Sequence, residues 1–208
     1  LAELYRDGDC DVPMNKPRAI ELFRKAADAG YPEAMGSLGI CYATGDGVAQ
    51  DDYEAFRWFQ LAAEKGEQYA QKNLGVSYRN GRGTTENKAL AVQWFEKAAE
   101  QGNIQAKACL ADMYADGEGI PTNYSKAEIY YREVIAAGEG DYYDDAIFNL
   151  ALMYATKTND NYSAFPLWKQ AAERGNTTAK YNLGLCYHNG WGTSKDDSQA
   201  LYWWPQAG

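Results

Sequence analysis

"YHNGWGT", residues 187–193, carries the only histidine of the chain, His188, beside a Gly-x-Gly. Alone it reads as a phosphate cradle or an active-site loop. The same pattern stands at 42–48 as "YATGDGV", at 78–84 as "YRNGRGT" and at 114–120 as "YADGEGI". A local pattern that recurs at fixed spacing is the mark of a repeat architecture, so the period decides the fold before any chemistry is considered.

Columns appear when the copies are aligned. Tyrosine recurs at Tyr5, Tyr42, Tyr78, Tyr114, Tyr154 and Tyr187, with leucine four residues earlier at Leu1, Leu38, Leu74, Leu110, Leu150 and Leu183. Alanine leads at Ala34, Ala70, Ala106, Ala146 and Ala179. A second alanine column follows at Ala19, Ala55, Ala91, Ala127, Ala164 and Ala200, in steps of 36, 36, 36, 37 and 36. The first set, at offsets 0, +4 and +8, falls on one stripe of a helix, called helix A. The second alanine, an aromatic three residues on and a small pair such as Ala62-Ala63 make a stripe on helix B. Small residues let the helices approach and aromatics fill the space between them.

The punctuation agrees. Asn15, Asp51, Asn87, Asn123, Asp160 and Asp196 stand four residues before the helix-B alanines and suit helix N-caps. Gly30, Gly66, Gly102, Gly138 and Gly175 close each unit and suit helix ends, and each Gly-x-Gly reads as the turn from helix A to helix B. The expected fold is all-α: an α/α solenoid of about six antiparallel helix pairs, in which neighbours bury the stripe that one pair leaves exposed. The expected organisation is a single solenoid over 1–208, with repeats at roughly 1–33, 34–69, 70–105, 106–145, 146–178 and 179–208. The first unit lacks the start of helix A and the sixth stops inside helix B at "LYWWPQAG", so a longer natural chain is expected.

A unit written A-x3-L-G-x2-Y-x2-G-x-G, then N-cap, alanine, Trp-Phe and A-A-x2-G, resembles the Sel-one-like repeat, a relative of the tetratricopeptide repeat. "SLGICYATGDGVAQDDYEAFRWFQLAAEKG" (37–66) and "NLGVSYRNGRGTTENKALAVQWFEKAAEQG" (73–102) carry it best. There are departures. Ala111 and Ala151 replace the helix-A glycine, "EGDYYDD" (139–145) lengthens repeat four, and repeat five keeps only "YATKTND" (154–160) where the others have Gly-x-Gly. The regular cysteine pattern of cysteine-rich relatives is absent.

Composition narrows the function. Net charge is −9, from 20 basic against 29 acidic residues, which disfavours nucleic acid and anionic membrane surfaces and suits a basic protein or peptide. No run of 18 apolar residues is long enough to cross a membrane, and no signal peptide is recognisable. His188 has no histidine or cysteine partner at metal spacing and reads as a plain helix-end residue. The glycines follow helices rather than strands, which is wrong for a phosphate loop. "DGDCD" (7–11) opens like a calcium loop, but Val12 and Arg18 stand where glycine and glutamate are needed. Cys10, Cys41, Cys109 and Cys186 read as buried thiols, a Cys10–Cys41 bridge being the remaining alternative. Neither a catalytic triad nor a metal or cofactor site is expected, and no compartment is assigned.

The resemblance implies that helix A lines the concave side of the stack. With 0, +4, +5 and +8 turned inward, offsets +2, +6, +9 and +10 face the groove. These are Lys72, Val76, Arg79 and Asn80, then Asp112 and Asp116, then Phe148 and Leu152, and finally Tyr181, Leu185, His188 and Asn189. The expected groove runs from a basic patch through an acidic one to an apolar-aromatic floor, a pattern suited to peptide recognition. Tyr142 and Tyr143, in the acidic insertion, are a second contact candidate. The leading expectation is a non-enzymatic scaffold for a protein or peptide, itself a monomer or weakly self-associating. The alternatives are the weak β-lactam chemistry described for cysteine-rich relatives, although no serine-lysine motif is present, and a self-associating structural array.

Overall fold

The computed structural model describes residues 2–8, 13–138, 140 and 142–208. Among them are twelve α-helices and no strand: α1 (Ala2–Asp7), α2 (Lys16–Asp28), α3 (Pro32–Thr44), α4 (Asp52–Glu64), α5 (Gln68–Asn80), α6 (Lys88–Glu100), α7 (Ile104–Asp116), α8 (Tyr124–Ala136), α9 (Tyr143–Met153), α10 (Asn161–Glu173), α11 (Thr177–Asn189) and α12 (Asp197–Trp203). Odd numbers are A helices and even numbers B helices. The fold is the all-α solenoid class that the period implies. The chain divides into two compact units, Leu1–Ala106 and Lys107–Gly208, each with its own packed helices.

Every helix B begins where the polar column places it. The side chains of Asn15, Asp51, Asn87, Asn123, Asp160 and Asp196 each accept from a free amide of the first turn. The backbone N–H of each cap donates to the carbonyl of the preceding column tyrosine, from Asn15 to Tyr5 through to Asp196 to Tyr187. A helix start left without a cap costs about 1 kcal/mol. The A-to-B turn is therefore held from both sides, by the cap and by the tyrosine carbonyl.

Glycine works in two ways at these turns. Gly45, Gly81 and Gly190 end their A helices in the left-handed region. The second glycine of the motif is held by proximity as well as by conformation: a Cβ on Gly83 would overlap the Asp52 carbonyl, and one on Gly192 the Asn161 carbonyl. The turn thus rests on the start of the preceding helix B. Repeat five, without Gly-x-Gly, solves the problem otherwise. α9 runs on into a π-helical turn, Tyr154–Thr158, which closes on Asn159 at φ 54°. Asparagine is among the few residues that tolerate that region.

In three of the pairs a helix-A glycine receives an aromatic ring from helix B or the turn that follows it. Phe59 lies against Gly39, Phe95 against Gly75 and Trp204 against Gly184, so closely that any added Cβ would overlap a ring. Between repeats, two column tyrosines pack on the residue that follows the preceding helix-B alanine. Phe56–Tyr78 in the first unit and Phe165–Tyr187 in the second have the same geometry, ring centroids 5.4 Å apart at 89°. Edge-to-face pairs of this kind add roughly 0.5–1.5 kcal/mol beyond their buried area. Cys41 and Cys186 are buried free thiols and Cys109 a half-buried one, while Cys10, with most of the 7–11 stretch, lies outside the described residues. Burial pushes the Cys186 thiol up to about 11. Among the described residues no helix is long and apolar enough to cross a membrane.

Candidate functional site

Each unit has a groove between consecutive A helices, floored by the B helix that joins them. In the first unit it lies between α3 and α5 over α4, a cavity of about 310 Å³. Ile40 and Thr44 form one wall, Asn73 and Val76 the other, and Phe59 closes the floor. Lys72 stands at the rim, its ammonium 2.7 Å from the Asn73 side-chain oxygen. Arg82, carried on the Gly-x-Gly turn, pairs with Asp52 at 3.2 Å.

In the second unit the groove lies between α9 and α11 over α10, a cavity of about 290 Å³. Most of its lining positions match those of the first, although Tyr181, the counterpart of Lys72, is not among them. Leu152 and Thr156 stand for Ile40 and Thr44, and Asn182 and Leu185 for Asn73 and Val76. Trp168 replaces Phe59, Asn161 replaces Asp52, and Trp191 replaces Arg82. The architecture is kept while the chemistry changes. The ion pair and the lysine give way to amides and two indoles, and part of the wall becomes the π-helical turn through Ala155 and Thr156.

The expected groove residues divide. Lys72 and Val76 line the first cavity, Leu152 and Leu185 the second. Arg79 and Asn80 sit at the end of α5, outside the cavity lining. Tyr181 lies on α11 beyond the cavity, 52% exposed. Phe148 packs edge-on against Trp168, centroids 5.4 Å apart. Asp112 accepts from the Tyr131 hydroxyl at 2.7 Å and from the Asn149 amide at 3.2 Å, and Asp116 lies 3.6 Å from the Lys157 ammonium. Asn189 ends α11 and donates to the Leu185 carbonyl, and His188 before it has its ring beside Trp204 and Nδ1 2.7 Å from an Asp197 carboxylate oxygen. That contact holds the Asp197 carboxyl below the usual carboxylate range, with Lys195 adding to the effect.

In the insertion, Tyr142 immediately precedes α9 and Tyr143 opens it. The Tyr143 hydroxyl accepts from the Gln170 amide at 2.9 Å, and the Arg174 guanidinium lies over its ring while pairing with Asp144. These contacts tie the start of α9 to α10. The sequence reading missed Asn73, Asn182, Arg82, Trp168 and Trp191. The available signals were a polar column at offset +3, the middle residue of the Gly-x-Gly turn and the helix-B aromatic, none of them among the offsets +2, +6, +9 and +10 taken as groove-facing.

The Sel1 repeat profile matches residues 1–31, 32–67, 68–103, 105–138, 144–176 and 177–207. The chain belongs to the Sel1 repeat family. Proteins built on Sel1 repeats generally mediate protein–protein interaction, and the repeat is generally a non-catalytic scaffold. Among solved structures, c5321, a protective antigen present in uropathogenic Escherichia coli strains and displaying an SLR fold, is 33% identical with a TM-score of 0.86 over 99% of this chain and 44% of its own. A Sel1 repeat protein from Oxalobacter formigenes is 30% identical with a TM-score of 0.79 over 99% of this chain and 79% of its own. Among curated proteins, mouse DAP3-binding cell death enhancer 1 is 43% identical over 54 residues, 26% of this chain and 11% of that protein. The exopolysaccharide production negative regulator of Rhizobium leguminosarum bv. viciae is 48% identical over 42 residues, 20% of this chain and 16% of its own. The curated matches thus span only a small part of those proteins. Within the Sel1 frame, the two grooves share a register while their side chains differ.

Proposed function

We propose that this Sel1 repeat chain is a non-enzymatic adaptor that binds an extended segment of a partner protein on its helix-A face. The observation that carries the reading is the recurrence of one groove, at the same register, in both units. Each is open on the helix-A side, has an aromatic floor and offers an asparagine amide on its α5 or α11 wall. An aromatic surface beside paired donor and acceptor groups is what an extended polypeptide uses for side-chain anchoring and main-chain hydrogen bonds. A net charge of −9 adds a general preference for basic partners. A curated relative named for binding DAP3 fits the same class of activity.

The test is partner capture from native lysate, with the wild-type chain compared against variants of the helix-A face inside and beside the grooves. Arg79→Glu, Tyr181→Ala and Leu185→Asp are each checked for helicity by circular dichroism. The expected result is a partner retained by the wild type and lost, by about tenfold or more, from at least one folded variant. A partner retained equally by all three folded variants removes the helix-A face from the function.

A further inference from the structure

We propose that the groove between α9 and α11 receives one large uncharged side chain, aromatic or aliphatic, from an extended polypeptide, and that the Asn182 amide holds the main chain beside it. The inference rests on the polypeptide-binding reading and names the partner's chemistry at one of the two grooves.

Charge is the first argument. The first unit's groove carries Lys72 and the Arg82–Asp52 pair. Every corresponding position of the second groove is neutral, and no residue of its lining is an acid or a base at neutral pH. A charged side chain entering there leaves water with no counter-charge to meet, which is unfavourable. An apolar one meets Leu152 and Leu185 on opposite walls and Trp168 below, and Trp191 covers the edge. A cavity of about 290 Å³ suits a single large side chain and is small for a cofactor.

The amide is the second argument. At the preceding junction of the same unit, Asn149 occupies the place of Asn182 and donates to Asp112. The counterpart of Asp112 one repeat on is Leu152, which cannot accept. Asn182 consequently has no hydrogen-bond partner among the described residues, and it stands on the groove wall. A side-chain amide offers one acceptor and a donor pair, matching the N–H and C=O of one peptide unit.

The third argument is placement. Gly192 fits against the Asn161 carbonyl so closely that only glycine is accommodated, and this fixes the turn that carries Trp191. The opposite wall includes the π-helical turn, a feature rare in helices and frequent at functional sites. The junction that departs furthest from the repeat pattern is thus the one with the neutral, aromatic groove. Leu152 and Trp191 remain 39% and 45% exposed although both are large and apolar. An incoming apolar side chain would cover them.

The experiment selects a random dodecapeptide library displayed on phage against the whole chain, then measures selected peptides by fluorescence anisotropy. The expected peptides share one Trp, Phe, Tyr, Leu or Ile within an uncharged stretch. Leu152→Asp is expected to weaken them about tenfold, and Trp191→Ala by a comparable factor. Asn182→Ala weakens them about threefold. Affinity stays within about twofold between roughly 50 and 500 mM salt, because no ion pair forms. Both rim side chains are exposed, so the two rim variants check each other if one fails to fold. Peptides with a charged anchor, or uncharged peptides bound equally by both rim variants, overturn the inference and leave polypeptide binding standing. Failure of the wild type to enrich any peptide overturns both.

Discussion

Tyr131 stands where Phe59 and Phe95 stand in earlier B helices, and it is as buried as they are. The added hydroxyl must then find a partner, and it donates to Asp112 on α7 at 2.7 Å. Burial, followed by the nearby Asp112 charge, raises the phenol above its ordinary pKa and favours the protonated, donating form. Tyr131→Phe keeps the ring and removes the bond, leaving Asp112 with a weaker set of donors. Chemical denaturation is expected to register a loss of about 1–3 kcal/mol, with unchanged helicity in the folded state. A second side chain at this scale is pH-dependent. Asp197 is lowered by its hydrogen bond to His188 and then by the Lys195 charge. Its folded pKa lies below its unfolded one, so the stabilisation is present above the unfolded value and disappears as pH falls through the folded one. Carboxyl carbon shifts in an NMR titration should place the Asp197 midpoint below that of an ordinary aspartate. His188→Ala should move it upward. An unmoved midpoint would mean that the 2.7 Å contact does not hold in solution.

At the scale of the element, the two kinds of turn use glycine differently: Gly66 stands between helix B α4 and helix A α5, and Gly83 in the A-to-B turn between α5 and α6. Gly66 and Gly83 both have positive φ, at 92° and 71°. A Cβ on Gly66 meets nothing within 4 Å, whereas one on Gly83 overlaps the Asp52 carbonyl at the start of α4. Gly66→Ala therefore costs only the backbone conformation, roughly 1–2 kcal/mol. Gly83→Ala costs that and a displacement of the turn from α4, and its melting temperature should fall well below that of Gly66→Ala. Equal losses would show that the turn is free to move. The turns also show where sequence reading stops. Caps, closing glycines and the two stripes were legible because each is enforced locally, by hydrogen bonds and steric limits within a few residues. The π-helical turn was not. "YATKTND" announces that glycine is missing, but how the chain compensates depends on the space left between α9 and α10. The capture of Asp112 by Tyr131 and Asn149 was equally out of reach, since offsets on one helix carry no information about the donors of its neighbours.

Each compact unit as a whole is a series of local packings. In the first, α3 packs on α4, α4 on α5 and α5 on α6, while α3 and α5 touch only lightly. The groove exists because of this pattern: consecutive A helices are held apart by the B helix between them, and the gap opens above Phe59 or Trp168. The sequence reading placed Lys72, Val76, Leu152 and Leu185 at these gaps, since a helical wheel gives the direction of each side chain. It missed the wall amides Asn73 and Asn182 on those same helices, and the floor and turn residues Phe59, Trp168, Arg82 and Trp191, which belong to other elements and come together only on stacking. Linear packing also predicts how damage spreads. Leu74 is fully buried on α5, and Leu74→Ala should cost about 2–5 kcal/mol. In a nearest-neighbour array that loss concentrates on the elements that touch α5. Hydrogen exchange of the variant should show amide protection falling most in α4, α5 and α6 and least in α2, whose contacts are with α1 and α3. A uniform fall across the first unit would mean that it unfolds only as a single block, and the repeats would then have to be treated as one inseparable core.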